Sequence, residues 1–66
     1  MNLVVNGKPH LHLGGGTIAE LLAEAGAKPV MTAVMINGEV LPRSRWADAR
    51  LHENDAVEIL VMAAGG

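Results

Sequence analysis

The chain has 66 residues, no cysteine, and a formal net charge of −2 from five Lys and Arg against seven Asp and Glu. Half of the residues are apolar, too many for a disordered tail, and the length allows one small domain; the missing cysteine excludes a disulfide framework, a thiol nucleophile and a thiolate metal site. The weak negative charge argues against nucleic-acid binding through bulk charge, and a body this small holds a core but not also a walled catalytic cleft, so a carrier, binding module or subunit is expected rather than a stand-alone enzyme.

Residues 1–5 read as a strand, and Asn6-Gly7 as a hairpin turn because both residue types tolerate positive φ. Pro9 delays the return strand, which the alternation of polar and apolar residues places at 10–13. After Gly14-Gly15-Gly16, Thr17 and Glu20 have the spacing of a capping box. Ile18, Leu21, Leu22 and Ala25 then recur at one face of a helix, with Glu20 and Glu24 off that face. Gly26 suits a left-handed C-cap and Pro29 forbids continuation.

Residues 32–36 are rich in strand formers and run into Asn37-Gly38, the strongest hairpin signal in the sequence. Residues 39–41 return and stop at Pro42; 43–50 read as irregular or a single turn around Trp46, the sole aromatic, expected to be packed. A turn at Glu53-Asn54-Asp55 precedes the last strand, 57–62, with Val57, Ile59 and Val61 on one face. Leu3 and Val5 join them against the helix, leaving Val4, Met35, Leu60 and Met62 on the outer face. Residues 63–66 carry no pattern and are expected to be a flexible tail on a domain of residues 1–62.

One amphipathic helix after the first hairpin of a β-β-α-β-β-β order gives a two-layer α+β domain. That is the arrangement of a ubiquitin-like β-grasp fold: a mixed sheet of four to five strands covered on one face by a single helix. Residues 1–5 lack the basic start and length of a leader. The apolar runs 30–36 and 59–64 fall far short of the roughly 20 residues that span a bilayer. A cytoplasmic protein without membrane partners is expected.

The terminal Gly65-Gly66 carries the clearest chemistry. It presents a carboxylate on a chain without side chains, able to thread a narrow channel and bend inside a partner's site. Such a carboxylate can be activated as an acyl adenylate and attacked by a nucleophile. Met1 leads the chain and no tag is present, so this end reads as native. His10 and His12 share a strand face, but no carboxylate or cysteine joins them at ligand spacing, so exposed positions are expected and no metal. Gly14-Gly15-Gly16-Thr17 lacks the lysine of a P-loop and reads as a loop and helix cap. Pro42, Arg43 and Trp46 are expected to fix the segment before the last strand, and Arg43 and Arg45 are candidates to pair with acidic groups on a partner.

The stretch Ile36-Asn37-Gly38-Glu39-Val40-Leu41-Pro42-Arg43, then Trp46, then Asn54-Asp55-Ala56-Val57-Glu58-Ile59 and the Ala64-Gly65-Gly66 end resembles the sulfur carriers of thiamine biosynthesis, the ThiS family. The likeness covers essentially the whole chain and departs where Asn54-Asp55 replaces a more usual Gly-Asp pair. It implies that an E1-like adenylyltransferase of the ThiF type adenylates the Gly66 carboxylate with its own ATP. Sulfur from a donor such as a cysteine desulfurase then gives a thiocarboxylate, which thiazole synthase of the ThiG type consumes. The carrier itself holds no cofactor and catalyses nothing. Gly65, Ala64, Ala63 and Met62 would enter the partner, and Leu60, Met35 and Val4 would form its docking patch. Rival readings are the small subunit of molybdopterin synthase, disfavoured by the Pro-Arg and Trp46 segment and the short length, and a β-grasp binding module, which needs no diglycine.

Overall fold

The structure, a computed structural model, describes residues 1–61, with every side chain among them except that of Pro29. In chain order it has β1 (Asn2–Val5), β2 (Lys8–Leu11), α1 (Ile18–Ala25), β3 (Thr32–Ile36), β4 (Glu39–Leu41) and β5 (Ala56–Val61), with single 3₁₀ turns at Pro29–Met31 and Arg43–Arg45. The strands form one sheet in the order β2-β1-β5-β3-β4. β1 and β5 are parallel at its centre, and the other pairs are antiparallel. With α1 on one face, this is the ubiquitin-like β-grasp that the element order implied.

Asn-Gly closes both hairpins. Asn6 and Gly7 have φ of 52° and 78°, and Asn37 and Gly38 have 49° and 86°, the positive pair that matches the twist of the flanking strands. The first turn corrects the strand expected at 10–13. A two-residue loop pairs Val5 directly with Lys8, so Pro9 lies inside β2, opposite Val4. Proline is tolerated there because β2 is an edge strand.

The same register sets Leu3 opposite His10, and the His12 N–H donates to the Met1 carbonyl at 2.9 Å. Opposed residues share a face, so both imidazoles lie on the inner side. His12 is buried at 3 % exposure, which overturns its expected place in solvent.

Helix α1 begins and ends where its signals place it. Its leading N–H groups are all satisfied. Ile18 donates to the Ala49 carbonyl (3.2 Å), Ala19 to the Trp46 carbonyl (3.0 Å) and Leu21 to the Thr17 carbonyl (3.1 Å). Glu20 N–H donates to Thr17 Oγ1 at 3.3 Å, and Thr17 N–H returns the bond to Glu20 Oε1 at 3.3 Å. No donor is left over for an anion, so the glycine run is loop and cap. Gly26 closes the helix in the left-handed region at φ 72°.

Ile18, Leu21 and Leu22 of α1 pack on Leu3, Val34, Val57 and Ile59 of the sheet, with Trp46 and Leu51 closing the end. Burying each large apolar side chain is worth about 1.5–3 kcal/mol. Trp46 is packed as expected: its Nε1–H donates to the Leu41 carbonyl at 3.2 Å, and the Arg43 guanidinium stands 5.6 Å from its ring centre. Val61 departs from the expected core and is 72 % exposed. It ends β5 beyond the last residue paired with β1, and opens onto a cavity of about 350 Å³ lined by Gly26, Ala27, Lys28, Met31 and Thr32.

Candidate functional site

The face away from α1 is built from alternate residues of the five strands. Register places Val4 beside Pro9 and Ala56, Met35 between Val40 and Glu58, and Leu60 opposite Ala33. Leu60, Ala33, Met35 and Val40 therefore adjoin on one half of that face. Val40 is 72 % and Leu60 48 % exposed, while Met35 is half-buried. Glu58 borders this apolar group and gives it one charge.

Val4 is also outward and exposed, as expected. It does not adjoin Leu60, however. Val4 pairs at Ala56, four residues back along β5, or roughly 13 Å at the usual strand rise. The expected patch thus splits into a Met35–Leu60 half and a Val4 end. Met62, Ala63, Ala64, Gly65 and Gly66 lie outside the described residues.

A second constellation was missed by inspection of the sequence alone. Glu24, on the helix flank, reaches back over β2. Its Oε1 accepts from His10 Nε2 at 3.0 Å and from His12 Nδ1 at 2.8 Å. Its Oε2 accepts from the Leu13 and Gly14 N–H groups at 2.8 and 3.0 Å. Those imidazole bonds, His10 first, hold the Glu24 carboxyl down from its ordinary 4.5 to about 2. Glu20 is lowered as well, by the Thr17 hydroxyl and then the Gly15 amide.

His12 Nε2 accepts from the Gly16 N–H at 3.0 Å. An amide can only donate, so Nε2 is bare and Nδ1 carries the proton. Both ring nitrogens are therefore committed to the protein. Among the described residues no three His, Asp or Glu side chains are placed to hold a metal ion. The signal that could have found this cluster is the first Asn-Gly turn, which fixes the register and hence the face of both histidines.

In the segment between β4 and β5, Arg45 Nε stands 3.6 Å from Asp48 on an exposed surface. Arg45 and Arg50 line an open cavity of about 450 Å³ floored by Ile36, Leu41 and Ala49. No helix among the described residues is long and apolar enough to cross a membrane.

A β-grasp body whose final central strand leads in sequence to a diglycine belongs among the ubiquitin-like proteins. The match to known proteins narrows this: residues 3–66 fit the model of the ThiS family, and the chain belongs to that family. The sulfur carrier protein ThiS of Escherichia coli (strain K12) is 27% identical over 66 residues, with all of both chains covered. A thiazole synthase of Paramagnetospirillum magneticum and another of Magnetococcus marinus are each 33% identical over the whole of this chain. The chain spans 20% of the length of each of those two.

Among solved structures, the crystal structure of thiamine biosynthesis protein ThiS from Geobacter metallireducens is 39% identical with a TM-score of 0.82, both chains being covered in full. The solution structure of a thiamine biosynthesis protein from the same organism is also 39% identical, with a TM-score of 0.78, over all of this chain and 88% of that one.

Proposed function

We propose that this chain carries sulfur for thiazole formation in thiamine biosynthesis, and that the Gly66 carboxylate is its working group. The observation that carries this reading is the family match, which spans residues 3–66 and so takes in both the folded body and Gly66. In this reading an E1-like adenylyltransferase joins the carboxylate to the α-phosphate of ATP and releases pyrophosphate. The terminal sulfur of a persulfide, supplied by a donor such as a cysteine desulfurase, attacks the acyl carbon and expels AMP. Reduction of the remaining S–S bond by a thiol leaves the thiocarboxylate, whose sulfur passes to thiazole synthase.

The body supplies recognition. The Met35–Leu60 half of the open face is an exposed apolar surface next to a methionine, which repacks readily against different partners. Two successive partners could use it in turn. The two relatives named thiazole synthase support that partner: a segment like this whole chain occurs within proteins of that name.

Intact mass spectrometry of the protein purified from its host tests the reading. A population heavier by the exchange of one oxygen for sulfur, absent after deletion of Gly66, is expected. A Gly66-deleted chain that still acquires the sulfur would overturn it.

A further inference from the structure

Asn6 does more than close the first hairpin. β1 and β5 form a short parallel ladder, in which the Val4 N–H donates to the Asp55 carbonyl and the Asn6 N–H to the Val57 carbonyl, both at 2.9 Å. The next rungs of a parallel ladder would engage the Ile59 N–H and carbonyl. β1 has turned away at Asn6-Gly7 before it can supply them. The Asn6 carboxamide supplies them instead: Oδ1 accepts from the Ile59 N–H at 2.7 Å, and Nδ2–H donates to the Ile59 carbonyl at 3.2 Å. A side chain thus continues the ladder where the backbone has left, at the end of β5 that leads to the diglycine. Ile59 stands seven residues before Gly66.

We infer that Asn6 is a positioning residue for the carrier's reactive end: beside β3, which pairs with β5 through Val61, it holds the β1-facing edge of β5 near the end that leads to the diglycine, so that a partner gripping the open face meets this strand on a fixed course. This deepens the sulfur-carrier reading and rests on it. An end group that must enter a partner's site gains from a fixed point of departure, because misplacement of a reacting group by about 1 Å can cost a hundredfold in rate.

The molecule contains its own control. Asn37 is the matching residue of the second Asn-Gly turn, with nearly the same φ. Its carboxamide also grips β5, but at the opposite end: Oδ1 accepts from the Ala56 N–H at 3.0 Å, and Nδ2–H donates to Asp55 Oδ1 at 3.1 Å. Asn6→Gly and Asn37→Gly each keep a turn that tolerates positive φ, and each removes a side chain with two hydrogen bonds, both to Ile59 of β5 for Asn6, and to Ala56 of β5 and the preceding Asp55 for Asn37. They differ in which end of β5 is released.

The test is ATP–pyrophosphate exchange with the E1-like adenylyltransferase of the same host, with amide exchange of the free carrier beside it. In Asn6→Gly, kcat at saturating carrier should fall about tenfold or more while KM for the carrier stays within about twofold. The Ile59 amide should also exchange faster than the core amide of Val34. In Asn37→Gly, kcat should stay within about twofold of the parent. Asn6→Asp keeps the turn and the acceptor for the Ile59 N–H but sets a carboxylate against the Ile59 carbonyl; it should repeat the kcat loss, and serves where the glycine variant does not fold. A parent chain that supports no exchange would sink the carrier reading and this inference with it. Exchange by the parent with equal kcat in the Asn6 and Asn37 variants, or unchanged Ile59 protection in Asn6→Gly, would overturn the inference alone.

Discussion

His12 and Glu24 meet at 2.8 Å, with the imidazole proton on Nδ1 because Nε2 is taken by the Gly16 N–H. This contact ties β2, the glycine loop and α1 together. Gly14 is part of the same packing, since a Cβ there would stand 2.9 Å from His12 Cε1.

The bond network around Glu24 sets an acid limit to stability. Its carboxyl sits at about 2 in the fold against an ordinary 4.5. A carboxyl lowered by folding stabilises the fold fully above its unfolded value, and loses that contribution as pH falls through the interval to its folded value. The thermal midpoint of Glu24→Gln should therefore lie below that of the parent near pH 5, and the margin should shrink between about pH 4.5 and 2. Comparison with this one variant separates Glu24 from Glu20, which is also lowered. A margin that stays constant down to pH 2.5 would contradict the assignment.

The strands, the helix and both of its caps could be read from residue pattern because the determining signals are local: Thr17 with Glu20, Gly26, and two Asn-Gly turns. The misreadings came from non-local geometry. Pro9 looked like a strand breaker, and only its place on an edge strand makes it harmless. The face of His10 and His12 depends on register across the hairpin rather than on their own spacing. Val61 continues the period of Val57 and Ile59 but has no β1 beside it. For the candidate site, the outward sides of Val4, Met35 and Leu60 followed from alternation, whereas the separation of Val4 from Leu60 depends on where β1 pairs with β5.

Trp46 joins the segment after β4 to the first turn of α1, through its carbonyl to Ala19 and its indole to Leu41. Trp46→Phe leaves the Leu41 carbonyl without its donor and removes part of the ring, and should cost about 1–3 kcal/mol. Trp46→Ala adds a cavity and should cost about 3–5 kcal/mol. Urea unfolding followed by circular dichroism measures both, with the midpoint moving at unchanged slope.

Asn54 has a φ of 69°, in the left-handed region that glycine adopts without strain and asparagine tolerates. Its N–H donates to the Asn2 carbonyl at 2.7 Å, so the turn is fixed in that conformation. Asn54→Gly should be close to neutral, while Asn54→Ala should cost about 1–2 kcal/mol because an unassisted Cβ is strained in the left-handed region. Equal stability of the glycine and alanine variants would contradict this account.

Leu60 tests the docking surface. It is 48 % exposed on the outer face, opposite Ala33 and next to the Glu58 position, and has no part in the buried cluster. Leu60→Glu should therefore change stability by no more than about 0.5 kcal/mol, the usual range for surface substitutions. A second carboxylate beside Glu58 should nevertheless repel a partner that buries this apolar half. A loss of about 1.4 kcal/mol in docking corresponds to a tenfold higher KM for the carrier in adenylation, with kcat retained. Val4→Glu, near the far end of the same face, should have a smaller effect if the contact centres on Met35 and Leu60. Leu60→Glu protein that is adenylated with the parent's KM, and then discharged normally by thiazole synthase, would remove this face from the interface.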